Sequence, residues 1–340
     1  MKLSRAPNVG VVIAIGLLIA FLTRSTWERF IFADSIQGPL RKSDTKSVAS
    51  YTPADYDKAA SKCLSLAQFD CAETNWEHYL TLRPNDGQAW AKLGIARNRH
   101  DDHEAALVAF ERAISLGEGT YDLFAYYADS LAASGRTEDA VNWYYKALVV
   151  VPSLVDVRGK LAKLLVLQKK YYEALSLLES FDAELRVKGS PAYFEGQRIA
   201  IETALERNEG NQTAETSLRL PKYESHFYAP VRLGSSRPEP FVVDTGASVT
   251  ALDEAKLLES KAHFKWLKSD IVMRTADGRT VATRGALLDS LTVGPYVLRD
   301  VSVVTCRGCV SLLGQSTLSK FDLKSAKISG VEFLTLSLRR

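Results

Sequence analysis

The sequence predicts an all-α helical-repeat solenoid followed by an all-β domain of one small lobe, both set behind an apolar N-terminal segment. Three observations carry this reading. A repeat of 34 residues runs through the first half of the chain, β-branched and aromatic runs take over in the last third, and an almost unbroken apolar stretch stands near the start. The expected parts of this multidomain chain are a signal anchor or transmembrane segment at 1–32, a tether at 33–52, repeats with a capping helix at 53–207, a linker at 208–214, and the β domain at 215–340.

The repeat is read from registers starting at Pro53, Gly87, Tyr121 and Val155, which align four times without an insertion. The fourth position holds Tyr56, Trp90 and Phe124, then departs to Arg158. The twentieth is alanine in every unit, as Ala72, Ala106, Ala140 and Ala174, and the twenty-fourth is always large, as Trp76, Phe110, Tyr144 and Leu178. Stacked helical hairpins explain this pattern, because a small residue on the second helix lets the first approach while bulky residues fill the remaining gap. These units resemble the tetratricopeptide repeat family, with Leu93 and Gly94 at its Leu-Gly positions. The resemblance implies a groove for a protein or peptide partner. Arg158 marks an atypical last unit, and Pro191 to Glu206 reads as a helix capping the open end.

Near the N-terminus, Lys2 and Arg5 precede the apolar run from Val9 to Leu22. No small-x-small cleavage site follows Leu22, which favours a retained anchor over a removed signal peptide. Trp27, Phe30 and Phe32 suit a membrane interface. The run is short against the about 20 residues of a full span, and Arg24 and Arg29 weaken the charge asymmetry. The expectation is a single-pass anchor with the rest of the chain outside the cytoplasm; a soluble secreted protein is the rival. Cys63 with Cys71 and Cys306 with Cys309 form two close pairs, which in an exported chain are candidate disulfides. The spacing of the second pair also suits a metal, but no histidine lies near it, so neither metal nor cofactor is expected. A balance of 43 basic against 40 acidic residues argues against a nucleic-acid partner.

Beyond the linker, runs at Tyr228–Leu233, Phe241–Val243, Ile271–Thr275, Leu287–Val293 and Tyr296–Val304 read as strands, punctuated by Asp277-Gly278 and Gly294-Pro295 turns. Among them stands Phe241-Val242-Val243-Asp244-Thr245-Gly246-Ala247-Ser248. Three apolar residues feed the Asp from a buried strand, and Gly246 is expected to permit the sharp turn that lifts the carboxylate out of the sheet. Downstream, Ser311-Leu312-Leu313-Gly314-Gln315 opens a short helical stretch from Ser316 to Phe321, and between the two lies a hairpin, Met273 to Arg284.

These parts in this order resemble the retropepsin-like aspartic proteases, specifically the bacterial branch that carries such a domain behind a membrane anchor. The resemblance covers about Leu218 to Leu338. It implies Asp244 as the catalytic carboxylate, and Thr245, Gly246, Ala247, Leu313 and Gly314 as the support of its loop. It also implies a flap that includes Thr275, Ala276, Asp277, Gly278 and Arg279, and a place in the inner membrane with repeats and protease domain in the periplasm. Hydrolysis by carboxylates needs two of them, one ionised to take a proton from water and one protonated to polarise the carbonyl. The chain has one Asp-Thr-Gly and room for one lobe, so the second carboxylate is expected from Asp244 of another copy across a twofold axis. Ala247 stands where the pepsin branch has a hydroxyl that donates to the carboxylate, so a mildly acidic to near-neutral activity optimum is expected. The predicted protein is thus a homodimeric, membrane-anchored aspartic endopeptidase whose repeats recruit a protein substrate or partner. An inactive interaction scaffold, in which the protease-like domain only dimerises, is the alternative.

Overall fold

The structure is a computed structural model that describes residues 51–208, 217–274, 280–328 and 330–339. The expected anchor, the tether up to residue 50, the linker beyond residue 208, and flap residues Thr275, Ala276, Asp277, Gly278 and Arg279 lie outside them. No described helix is long and apolar enough to cross a membrane.

The 34-residue period becomes four helical hairpins. They are α1 (Pro53–Ser65) with α2 (Phe69–Leu82), α3 (Gly87–Arg99) with α4 (His103–Ser115), α5 (Tyr121–Ala133) with α6 (Thr137–Val150), and α7 (Val155–Leu167) with α8 (Tyr171–Val187). Each predicted register start is the first residue of a hairpin. The four recurring alanines are fully buried, and Trp76, Phe110, Tyr144 and Leu178 fill the space beside them. At Gly94 a Cβ would meet the Phe110 ring at 2.6 Å, so a side chain there would push the two helices of the hairpin apart. Asp86 and Asp102 start α3 and α4 by accepting the amides of Ala89 and Ala105. Cys63 and Cys71 are disulfide-bonded across the first hairpin.

The β domain consists of β1 (Leu218–Tyr223), β2 (His226–Arg232), β3 (Glu239–Val243), β4 (Thr250–Asp253), β5 (Phe264–Arg274), β6 (Thr280–Val293), β7 (Tyr296–Cys306), β8 (Leu312–Leu313), β9 (Phe321–Ile328) and β10 (Val331–Leu338). Two short helices interrupt it, α10 (Glu254–Glu259) and α11 (Gln315–Leu318). The strands form one sheet in the order β5-β6-β7-β4-β8-β3-β2-β1-β10-β9, and a further β2–β6 pairing folds it back on itself. The predicted hairpin is the antiparallel β5–β6 pair, which shifts register between Trp266 and Asp270 and then pairs continuously to Arg274 opposite Thr280. Cys306 and Cys309 are disulfide-bonded just past β7.

Pro53–Arg340 forms one compact unit, and its apolar core runs unbroken from Ala91 in α3 to Leu336 in β10. The predicted capping helix is α9 (Glu195–Asn208), and the two residues before it are held by Asp182, which accepts the amides of Tyr193 and Phe194 at 2.8 and 3.1 Å. It shares the task of closing the solenoid with the sheet. Helix α8 is buried continuously from Tyr172 to Asp182 because it packs against α7 and α9 as well as β1, β2 and β3. Polar bonds fix this junction: Arg219 of β1 makes a bidentate pair with Glu173 at 2.8 and 2.9 Å, and Ser176 donates to the Tyr228 carbonyl at 2.6 Å. No local pattern in the sequence marks this shared core.

Glu179, also in α8, pairs with Arg198 and lies 3.7 Å from Arg186. Burial, with the negative charges of Glu239 and Glu202 nearby, pushes its acid up to about 7 despite those two cations. The native state therefore binds this proton more tightly than the unfolded chain. The site's contribution to stability is greatest below 4.5 and is lost as pH rises through about 7. We expect the unfolding midpoint to fall between about pH 5 and pH 8, and Glu179→Gln to flatten that slope by on the order of 1–3 kcal/mol. Parallel slopes in the two proteins would refute the assignment.

Candidate active site

Strand β3 ends at Val243, and the chain turns sharply through 244–249 before entering β4. Strand β8 lies between them, parallel to β3 (Val243 opposite Leu313) and antiparallel to β4. Asp244 thus leaves the sheet at the point where two parallel strands end together. Its own N–H donates to the Leu313 carbonyl at 3.0 Å, which ties the start of the loop to buried Leu313. Asp244 is half-buried, while Thr245, Gly246 and Ser248 are exposed. Its Oδ1 accepts the N–H groups of Gly246 at 2.9 Å and Ala247 at 3.2 Å. One oxygen is therefore spent on positioning, and Oδ2 is left for chemistry.

One detail differs from the expectations. Gly246 is not among the positive-φ glycines, so the turn does not demand glycine for its backbone angle; its N–H on the carboxylate is the contribution seen. Ala247 lacks a hydroxyl, but it does donate to Asp244, through its backbone rather than its side chain.

The far side of the loop rests on α11. The Gln315 and Ser316 amides donate to the carbonyls of Ala247 and Ser248 at 2.8 and 3.1 Å, and Gln315 Nε2 donates to the Thr245 carbonyl at 2.8 Å. Gly314 sits where the two segments meet, with the Val249 carbonyl oxygen only 2.4 Å from where a Cβ would stand. Beneath it, Thr250 Oγ1 accepts the Gly314 N–H at 3.1 Å and is 2.7 Å from Thr317 Oγ1, both threonines being fully buried.

Residues 230–320 match the family model described as gag-polyprotein putative aspartyl protease. That stretch runs from β2 through the Asp244 loop and the β5–β6 hairpin to the end of α11. The chain thus joins tetratricopeptide-like helical repeats to a β-rich domain that matches an aspartyl protease family model over residues 230–320. Among solved structures, a retropepsin-like aspartic protease from Rickettsia conorii aligns with 36% of this chain and 90% of its own, at 22% identity and a TM-score of 0.28. MamA 41-end from Desulfovibrio magneticus RS-1 covers 46% of this chain and 77% of its own, at 15% identity and a TM-score of 0.35. A Thermobaculum terrenum O-GlcNAc transferase mutant matches 33% of this chain at 19% identity and a TM-score of 0.32, and the chain spans 22% of that protein's length. No curated protein matches the chain.

In this protease-like domain the structure brings Asp244, Thr245, Gly246, Ala247, Leu313 and Gly314 into one loop assembly. The flap residues lie outside the described residues, although their flanking strands β5 and β6 do pair. Thr250, Gln315, Ser316 and Thr317 also hold the loop and are not among the support residues that the motif implies. Gln315 and Ser316 directly follow Leu312-Leu313-Gly314 and were within reach of that motif. Thr250 bonds to a residue 64 positions away, which no local pattern reveals. Among the described residues no cluster could hold a metal ion.

Proposed function

We propose that the protein is a membrane-anchored aspartic endopeptidase that works as a homodimer, with Asp244 of each chain supplying half of the catalytic dyad. The observation that carries this reading is the Asp244 carboxylate itself. It is held through one oxygen by two backbone amides, on a loop that follows one of two parallel strands, and it adjoins the exposed residues Thr245 and Gly246. One such carboxylate per chain cannot act as both acid and base in the same step. Two brought together by a twofold axis share one proton, since like charges at hydrogen-bond distance do not both ionise readily. The ionised member takes a proton from water as its oxygen attacks the peptide carbonyl, and the protonated member donates to the carbonyl oxygen. Collapse of the tetrahedral intermediate returns a proton to the leaving nitrogen. No step requires a metal.

In this reading the repeats recruit the protein substrate or a partner, and the anchor confines cleavage to targets near the inner membrane on its periplasmic side. Assembly gives a direct test. Casein or a peptide library should be cleaved by the full-length chain in detergent, and pepstatin-like transition-state mimics should inhibit. The rate per chain should fall on dilution below the dimer dissociation constant. A rate per chain that stays constant over a wide dilution series, with a monomeric mass, would exclude the shared dyad. Confinement to a membrane plane raises the local concentration, so reconstitution in vesicles should restore activity lost on dilution.

A further inference from the structure

The fourth repeat places Arg158 where the other three have Tyr56, Trp90 and Phe124. Arg158 is 2% exposed, and its Nη1 and Nη2 donate to the carbonyls of Leu177 and Pro152, each at 2.8 Å. The guanidinium lies over the rings of Phe181 and Tyr223, at 5.2 and 4.8 Å. Its Nε has no partner, and among the described residues Arg158 makes no ion pair. The buried carboxylates of the junction are already engaged: Glu173 by Arg219, and Glu179 and Asp182 by Arg198. A buried cation without an anion is costly. Desolvation lowers this group to about 10, which still leaves it charged at neutral pH.

Beside Arg158 is a cavity of about 250 Å³ between α6, α7 and α8 on one side and β1 and β10 on the other. Leu148, Val149, Pro152 and Val331 supply apolar walls, and Tyr145 and Tyr223 line it with aromatic surface. At the rim Lys222 and Glu332 neutralise one another at 2.6 Å, and Glu224 is exposed. The volume is that of roughly eight waters, enough for one carboxylate and one aliphatic side chain. We infer that this cavity is a binding site for a carboxylate with an apolar body, either a small free acid or the C-terminal residue of a peptide, with Arg158 as its counter-charge. The site is separate from Asp244, and an occupant would bridge the last repeat and the protease-like sheet.

Calorimetric titration of the full-length chain with N-acetyl-leucine, and with an acetylated pentapeptide ending in leucine, tests this. Each probe is compared with its C-terminal amide, and pepstatin converted to its own C-terminal amide, which carries no carboxylate, is present throughout to occupy the proposed active site. Saturable binding of the acids is expected, with at least about tenfold weaker binding of the amides. Tighter binding of the pentapeptide would identify a peptide terminus as the occupant, and equal binding a free acid. Arg158→Gln should weaken the acids by about tenfold or more. If that variant does not fold, Val149→Trp, at a half-exposed wall position, should block the cavity and abolish binding. No saturable binding of either acid, equal binding of acid and amide, or undiminished binding in Val149→Trp would overturn the proposal.

Discussion

Asp244→Asn is expected to lower peptide cleavage by at least about a hundredfold while leaving the unfolding midpoint nearly unchanged. The separation follows from how the two carboxylate oxygens are used. Oδ1 accepts the amides of Gly246 and Ala247, and an asparagine carbonyl oxygen accepts the same two bonds. The loop therefore keeps its shape. The remaining position becomes an amide nitrogen that neither takes a proton from water nor shares one with a partner carboxylate. Mixing sharpens the test. If variant and wild-type chains pair at random in equal amounts, activity should fall to about one quarter of that of wild type alone, because only pure wild-type dimers carry two carboxylates. Independent monomers would give about one half. Residual activity of the pure variant above about a hundredth of wild type would mean another group carries the chemistry.

The repeats were legible because their constraint is local and recurs. Each Ala72-type position touches the other helix of its own hairpin, so the same requirement appears every 34 residues and the register could be read to the residue. The Asp244 motif was legible for a similar reason, since its apolar feeder strand and its turn are contiguous. The runs read as strands leave out β1, β4, β9 and β10. Strand β4 is four residues long and β9 exposes nearly every residue, so no alternation of apolar and polar residues marks those two; β10 does alternate, through Leu334, Leu336 and Leu338. The docking of α8 on the sheet was also invisible. Its buried polar residues, Glu173 and Ser176 among them, look like a solvated face until Arg219 and the Tyr228 carbonyl are brought to them. Arg158 is a different case: the break in the repeat pattern marks an atypical last unit, and only the fold shows what the side chain faces.

Gly314→Ala is expected to damage both stability and activity, and the cause is space alone. Gly314 has φ −100° and ψ −175°, an extended conformation open to any residue. An added Cβ would lie 2.4 and 2.5 Å from the Val249 carbonyl oxygen and carbon, and 2.9 Å from the Ala247 carbonyl oxygen. All three are backbone atoms, so no side chain can rotate away. Either the 247–249 segment retreats from β8, or Gly314 itself moves and breaks its N–H bond to Thr250. Overpacking of this kind costs about 1–3 kcal/mol or more, and each kcal/mol lowers the unfolding midpoint by about 2–4 °C in a domain of this size. The same shift moves Asp244, whose N–H hangs from the Leu313 carbonyl one residue away. A displacement near 1 Å would lower the rate by about a hundredfold in the fraction that remains folded. Gly196→Ala is the control, because nothing lies within 4 Å of its Cβ position in α9; it should leave cleavage unchanged and stabilise α9 slightly. Cleavage at the wild-type rate by a folded Gly314→Ala protein would show that the Asp244 loop is not held by its contact with β8 and α11.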